Sequence, residues 1–145
     1  MVNLAKESDI MLVVETGNNA MITSCFLGRK LIDDLDTKHL KVLWDPANAL
    51  YCGENPSKNA LDSMEGGYLG HVHMKDVEVA IHQAKIKCVA LGEGQMAPHL
   101  QKISERLNQI GYDGSMSLES VYRPTEGNFE DGFNASITKF KNLYS

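Results

Sequence analysis

The sequence predicts an α/β domain in which strands and helices alternate around a parallel sheet. Short apolar runs alternate with segments of helical spacing, and four such strand–helix units can be counted in the 145 residues. The first run, residues 10–14, has no polar alternation, which is typical of a strand covered on both faces. We therefore expect a single domain over residues 1–145.

The next elements are a helix, a strand and a short helix. Apolar residues at helical spacing predict a helix over residues 24–36. A second strand over residues 40–44 runs into Asp45-Pro46. Because proline lacks an N–H and restricts the residue before it, regular structure is predicted to end there. A short helix is predicted near residues 57–64.

The second half of the chain supplies the two remaining strands. Gly66-Gly67 introduces a third strand over residues 68–74. Residues 76–95 are predicted to form a long functional loop, with only a weak strand-like run at residues 86–91. Three further elements are predicted: a helix beginning at Ala97-Pro98, a strand over residues 115–118, and a last helix with Phe133, Ile137, Phe140 and Leu143 on one side.

Charge and cysteine content exclude several classes of protein. The 14 Lys and Arg residues against 19 Asp and Glu residues give a net charge of −5, so no basic footprint for a nucleic acid or an anionic membrane is expected. The three cysteines form no Cys-x-x-Cys pair, which argues against a disulfide framework or a thiolate zinc site. Residues 1–11 contain no long apolar run of a signal peptide or membrane span. We expect a cytoplasmic protein.

Each of the four predicted strands ends in a residue that could bind a metal ion: Glu15, Asp45, His73 and Glu119. Taken singly, a carboxylate after a strand is more often a turn, cap or solvated residue. In parallel sheets and barrels, however, the carboxyl ends of the strands converge on the active site. Three carboxylates and one imidazole favour Mn²⁺, Mg²⁺ or Co²⁺, with Zn²⁺ possible.

Five short motifs carry a resemblance to a known family. In chain order they are Val13-Val14-Glu15, Leu43-Trp44-Asp45-Pro46-Ala47-Asn48, His71-Val72-His73-Met74-Lys75-Asp76, Leu91-Gly92-Glu93-Gly94 and Gly111-Tyr112-Asp113-Gly114-Ser115-Met116-Ser117-Leu118-Glu119. Over nearly the whole chain, they resemble the sugar phosphate isomerase/epimerase family, whose fold is the xylose isomerase-like TIM barrel. The order of the motifs matches the C-terminal half of that barrel.

The resemblance implies both a ligand set and a reaction. It makes Glu15, Asp45, His73 and Glu119 the ligands of a divalent ion, with Glu15 and Glu119 also serving as the catalytic proton-transfer pair. The implied activity is isomerisation or epimerisation of a sugar, sugar phosphate or keto-polyol through a metal-bound enediolate. An abasic-site endonuclease in the same superfamily is disfavoured, because five histidines and a net charge of −5 do not suit a histidine-rich site on DNA.

Three neighbouring polar residues are predicted to bind substrate. Asn48 stands where relatives resembling the ketose 3-epimerases have a substrate-contacting histidine, and an amide can bond a hydroxyl but cannot shuttle protons. Lys75 and Asp76 could bind a hydroxyl or a negatively charged group of the substrate. The alternative is that the two residues form an ion pair at the surface. His71 is interpreted as a core or supporting histidine rather than a ligand.

The length of the chain indicates half of a barrel. A TIM barrel typically needs about 250 residues and eight strand–helix units, whereas four units are counted in these 145 residues. A four-stranded half would expose two sheet edges and the face that lines a barrel. We expect a homodimer of halves, a companion chain that completes the barrel, or a truncated product. An inactive or partner-requiring binding module is the alternative to an enzyme.

Overall fold

The structure is a computed structural model that describes residues 1–144. Its helices and strands are, in chain order, α1 (Val2–Glu7), β1 (Leu12–Glu15), α2 (Cys25–Leu35), β2 (Leu40–Trp44), α3 (Pro46–Tyr51), a 3₁₀ turn (Leu61–Met64), β3 (Leu69–Met74), β4 (Asp76–Ala80), a 3₁₀ turn (Ile81–Gln83), β5 (Lys85–Val89), α4 (Leu100–Gln109), β6 (Met116–Leu118) and α5 (Phe129–Tyr144). The alternation of strands and helices confirms the predicted α/β class.

Four of the strands form one parallel sheet in the order β1-β2-β3-β6. Val14 lies opposite Val42, and Trp44 lies opposite Val72, so the strands are in register near their carboxyl ends. On the far side, β3 and β6 pair with His73 opposite Ser117. This arrangement confirms the four predicted strands and is that of a half barrel, with β1 and β6 at its two edges.

One face of the sheet forms the hydrophobic core. Val42, Trp44, Val72 and Met74 alternate along β2 and β3 and are fully buried, as expected for residues that share one face. Helix α2 packs closely here, because a Cβ at Gly28 would lie only 2.6 Å from a methyl group of Val42. Within residues 1–144, every helix is too short or too polar to cross a membrane.

The opposite face of the sheet is much less covered. Its residues alternate with those of the core, and they include Val13, Lys41, Leu43, His71 and His73, all of which are partly or fully exposed. We refer to these five residues as the open face. In a closed barrel the corresponding face lines the interior and is filled by side chains from all the strands.

Two local predictions are wrong. Asp45-Pro46 does not end regular structure but begins α3, since Asp45 is the N-cap and Pro46 occupies the first helical position. The long loop predicted over residues 76–95 contains an antiparallel hairpin formed by β4 and β5, with Val77 opposite Cys88. Ala84 turns this hairpin with a φ of 49°, a left-handed conformation that the sequence does not signal.

Helix α1 (Val2–Glu7) is an element that the sequence analysis does not predict. The other differences are shifts of element boundaries. The helix predicted near residues 57–64 is only the 3₁₀ turn Leu61–Met64, and the first strand begins at Leu12 rather than at residue 10. The last helix begins at Phe129, ahead of the apolar positions that predicted it. None of these shifts moves the carboxyl end of a sheet strand by more than one residue, so the predicted site positions are unaffected.

Candidate metal centre

The four residues predicted at the strand ends come together in the structure. One ligand atom each from Glu15, Asp45, His73 and Glu119 can be chosen so that all lie within 4.8 Å of one another. His73 Nδ1 lies 3.4 Å from Glu15 Oε1 and 4.0 Å from Glu119 Oε2. The cluster forms because four parallel strands in register end at one edge of the sheet.

Asp45 is the most deeply buried member of this cluster. Its Oδ1 accepts hydrogen bonds from the backbone N–H groups of Ala47 (3.0 Å) and Asn48 (2.9 Å), the arrangement of a helix N-cap. These bonds fix the carboxylate and leave Oδ2 for another partner. Burial raises the pKa of Asp45 to about 6, although the neighbouring Lys75 ammonium lowers it.

Thr16 positions Asp45 and was not singled out by the sequence. The backbone N–H of Asp45 donates to Thr16 Oγ1 over 2.8 Å. Asn48 reinforces this link, because its Nδ2 donates to the backbone oxygen of Thr16 over 3.1 Å. The side chains of Thr16 and Asn48 are buried. Their hydrogen bonds connect the segment after β1 with the segment after β2. The only sequence signal for Thr16 is its place directly after Glu15.

Lys75 belongs to the cluster rather than to the surface. Its Nζ lies 2.6 Å from Asp45 Oδ2 and 2.5 Å from Glu119 Oε2, and its side chain is only 11% exposed. Burial lowers the pKa of Lys75, but the two carboxylates more than offset this effect and raise it. Burial likewise raises the pKa of Glu119, and the Lys75 ammonium more than reverses that shift, which keeps Glu119 ionised.

The carboxylate of Asp76 accepts hydrogen bonds from backbone N–H groups only. Its Oδ1 accepts from the N–H groups of Val77 (2.8 Å) and Met96 (2.8 Å), and its Oδ2 accepts from those of Gly92 (2.8 Å) and Gly94 (3.0 Å). The side chain is 1% exposed. The structure therefore does not bring Asp76 together with the strand-end residues, and the carboxylate instead fixes the turn that follows β5.

His71 supports the cluster from the same face of β3. Its Nδ1 lies 2.9 Å from the Ser115 hydroxyl and its Nε2 lies 2.6 Å from the Ser117 hydroxyl. Its ring meets that of His73 edge to face, with the ring centroids 5.2 Å apart. Burial, and then the neighbouring His73, lower the pKa of His71. These contacts link β3 to the strand segment that leads to Glu119.

The donor set fits a divalent cation. Three carboxylates and one imidazole combine the hard oxygen and borderline nitrogen ligands that such ions accept. Two ligand atoms, His73 Nδ1 and Asp45 Oδ2, are buried without a hydrogen bond of acceptable geometry. Asp45 Oδ2 has the Lys75 ammonium as a charge partner at 2.6 Å. Buried polar atoms are usually satisfied, so His73 Nδ1 in particular points to a partner of another kind. The cluster contains one histidine only, unlike the histidine-rich site of an abasic-site nuclease.

Solved structures with the same fold are about twice as long. The Xylose isomerase domain protein from Planctomyces limnophilus matches with a TM-score of 0.75 and 23% identity, over 98% of this chain and 48% of its own length. The 3-keto-D-glucoside 4-epimerase from E. coli matches with a TM-score of 0.74 and 22% identity, over 97% of this chain and 49% of its own. This chain therefore spans about half the length of both proteins.

A third solved structure is the D-psicose 3-epimerase from Clostridium cellulolyticum H10, with a TM-score of 0.65 and 21% identity, over 92% of this chain and 42% of its own. No curated protein matches the sequence. The family model described as the xylose isomerase-like TIM barrel, in contrast, matches residues 1–142. That match covers nearly the whole chain and agrees with the parallel half barrel and its strand-end cluster, and the chain therefore belongs to the xylose isomerase-like TIM barrel family.

Proposed function

We propose that this chain carries the metal site of a carbohydrate isomerase or epimerase that transfers a proton next to a sugar carbonyl group. The observation that carries this proposal is the convergence of Glu15, Asp45, His73 and Glu119 within 4.8 Å. The solved structures named as a 3-keto-D-glucoside 4-epimerase and a D-psicose 3-epimerase support a keto sugar as the substrate class.

The four cluster residues would hold the divalent ion, for which Mn²⁺, Mg²⁺ and Co²⁺ are the favoured identities. When bound, such an ion supplies positive charge that stabilises negative charge developing on substrate oxygens. His73 and Asp45 suit a holding role, because their ligand atoms are buried and make no hydrogen bond, although Asp45 Oδ2 contacts the Lys75 ammonium. A buried carboxylate like that of Asp45 cannot reach a substrate carbon.

Glu15 and Glu119 are the proposed proton-transfer pair. Their side chains are 43% and 32% exposed, so both can meet a substrate above the strand ends. A positive charge beside Glu119 favours its ionised form, as the Lys75 ammonium does here and a bound divalent ion would, and an ionised carboxylate is the form that removes a proton. Delivery of a proton to the opposite face of the same carbon gives an epimer, whereas delivery to the neighbouring carbon gives an aldose–ketose shift.

Asn48 and Lys75 are proposed to bind substrate, and they differ in which polar groups already have a partner within the protein. Asn48 already donates its amide hydrogen to Thr16, which leaves its carbonyl oxygen to accept from a sugar hydroxyl. Lys75 can reach a substrate only when its ammonium leaves the two carboxylates. Asp76 has no part in the proposal, because all its hydrogen bonds go to backbone N–H groups.

We further propose that turnover requires a second half barrel, supplied by another copy of this chain or by a companion chain. The exposed apolar residues Ile10, Met11 and Val13 lie in or next to β1, an edge strand of the sheet. Unpaired edges and exposed apolar side chains favour association. Light scattering of the purified chain tests this requirement: a compact monomer that turns over a keto sugar would contradict it.

Calorimetry with Mn²⁺ tests the metal site. We expect one equivalent of Mn²⁺ to bind the wild-type chain, and Glu119→Gln to weaken binding by at least about tenfold because a charged ligand is lost. Glu126→Gln is the matched control, since this exposed glutamate lies outside the cluster. Activity on a panel of ketoses, in the presence of any companion chain, is then expected for the wild type and lost in Glu119→Gln. Absence of Mn²⁺ binding, or equal binding by both glutamate variants, would overturn the proposal.

A further inference from the structure

Lys75 makes two ion pairs that use oxygen atoms of two proposed metal ligands. Its Nζ lies 2.6 Å from Asp45 Oδ2 and 2.5 Å from Glu119 Oε2. Asp45 Oδ2 is the oxygen that the N-cap leaves free, because Oδ1 already accepts two backbone hydrogen bonds. Glu119 Oε2 is the oxygen 4.0 Å from His73 Nδ1. The ammonium therefore contacts the Asp45 oxygen that the N-cap leaves free and the Glu119 oxygen that lies 4.0 Å from His73 Nδ1.

The charges of the cluster explain why a cation is held there. Three carboxylates within a few ångströms repel one another, and Asp45 is excluded from water, which would otherwise screen it. The ammonium of Lys75 offsets this repulsion. No other lysine or arginine in residues 1–144 forms an ion pair with any of the three carboxylates.

A divalent ion and this ammonium cannot both occupy the same position. Two like charges a few ångströms apart, in a site partly excluded from water, repel by several kcal/mol at an effective dielectric constant of about 20. The hydrogen-bond geometry at Asp45 Oδ2 is also poor, although the ammonium lies close to it. The contact with Asp45 is thus a charge contact without a well-directed hydrogen bond, whereas the ammonium donates a hydrogen bond to Glu119 Oε2, which a bound ion would have to replace.

We propose that Lys75 is an exchangeable cation, which holds Asp45 and Glu119 together in the metal-free chain and leaves them when a divalent ion binds. This inference rests on the proposed metal site. Once released from the two carboxylates, the ammonium is available to a substrate oxygen. Metal binding therefore precedes formation of the substrate contact by Lys75.

Mn²⁺ affinity in two neutralising variants tests the exchange. Lys75→Gln removes the competing charge, so the dissociation constant for Mn²⁺ is expected to fall by at least about tenfold relative to the wild type. Lys41→Gln is the matched control, because Lys41 lies on the open face four residues before Asp45 and forms no ion pair with the cluster. Its dissociation constant is expected to stay within about twofold.

The same titrations separate failure of the exchange from failure of the proposed function. Equal or weaker Mn²⁺ binding by Lys75→Gln would overturn the exchange while leaving the metal site intact. No Mn²⁺ binding by the wild type or by Lys75→Gln would overturn both. Binding by Lys75→Gln alone would also overturn both, because the ion would then fail to displace the ammonium of the wild-type chain.

Chemical labelling of the wild-type chain keeps the test decisive if Lys75→Gln does not fold. Acetic anhydride acetylates exposed lysine side chains, and mass spectrometry measures the rate at each position. Mn²⁺ is expected to increase the rate at Lys75 at least about threefold relative to Lys41, since the amine leaves a site in which it is 11% exposed. An unchanged or slower rate at Lys75 in the presence of bound Mn²⁺ would overturn the exchange.

Discussion

The two faces of the four-stranded sheet differ in burial and in chemistry. On the core face, Val72 is fully buried, and its neighbours along the sheet are apolar. On the open face, Val13 is 44% exposed, and the strand ends carry Glu15 and His73. Because successive side chains of a strand point to opposite faces, the same strands supply both. Stability is therefore concentrated on one face, and the candidate chemistry on the other.

The half barrel has a hydrophobic core and the candidate metal site, but it lacks the second wall that a complete barrel would place opposite them. A four-stranded sheet covered by helices on one face already provides a continuous core. The candidate metal site also lies within the half, because its four residues belong to the strands of this sheet or directly follow them. What the half lacks is the opposite wall of the barrel, and the open face is where that wall would pack.

Loss of His73 is expected to have the largest effect, and it should fall on metal binding alone. His73→Ala removes the only imidazole of the cluster, so the Mn²⁺ dissociation constant should rise about 100-fold or more. The free energy of unfolding of the metal-free chain should change by less than about 1 kcal/mol, since Nδ1 has no hydrogen bond to lose.

His82→Ala is the control for this prediction, since His82 is exposed at the tip of the β4–β5 hairpin. Calorimetry and urea unfolding measure the two quantities on the same samples. If His73→Ala bound Mn²⁺ as tightly as His82→Ala, His73 would not be a metal ligand, and the open face would no longer differ from the core face in carrying the metal site.

Asp76→Asn is expected to have the next largest effect, on stability rather than on metal binding. One oxygen that accepts two backbone hydrogen bonds becomes an NH₂ group that faces N–H donors. The loss should lower the free energy of unfolding by about 2–4 kcal/mol. Mn²⁺ affinity should stay within about twofold, and a large loss of affinity at normal stability would place Asp76 in the site after all.

Two identical substitutions compare the sheet faces directly. Val72→Ala removes fully buried atoms and should cost about 2 kcal/mol of unfolding free energy, from lost transfer energy and an unfilled cavity. Val13→Ala removes the same atoms from the open face and should cost less than about 0.5 kcal/mol. Urea unfolding measures both. Equal costs would mean that the open face is covered in solution, as a second half barrel would cover it.

The smallest effect concerns Glu54, a partly buried carboxylate outside the site. Burial raises the pKa of Glu54, although the Cys25 N–H and the Trp44 side chain partly lower it. The native state therefore holds this proton more strongly than the unfolded state, and the charged form costs stability at neutral pH. Glu54→Gln should gain stability relative to the wild type as the pH rises from about 4 to 7, whereas Glu126→Gln should show no such trend. Urea unfolding at both pH values measures it.

The sheet and the convergence of the four strand-end residues could be predicted because they depend on local patterns and one topological rule. Apolar runs locate strands, and parallel strands in register bring their carboxyl ends together. Glu15, Asp45, His73 and Glu119 therefore meet whatever the loops between them do. The resemblance of the motifs to one family added the half-barrel interpretation, which the order β1-β2-β3-β6 confirms.

The unpredicted features depend on contacts between distant residues. Asp76 accepts N–H groups up to 20 residues away, and Lys75 pairs with Glu119, 44 residues away. Neither contact leaves a periodic signal. The hairpin was missed because its two short strands turn at Ala84, without the glycine or asparagine that usually marks a positive φ. The sequence could thus predict which residues end the strands, but not which charges they meet there.

Crystals of the chain soaked in Mn²⁺, with diffraction collected at a wavelength where manganese scatters anomalously, test the central claim most directly. One strong anomalous peak is expected between the side chains of Glu15, Asp45, His73 and Glu119, with the Lys75 ammonium moved away from Asp45. No peak at this position, or a peak elsewhere on the molecule with these four side chains unchanged, would contradict the assignment of a metal centre to the strand ends.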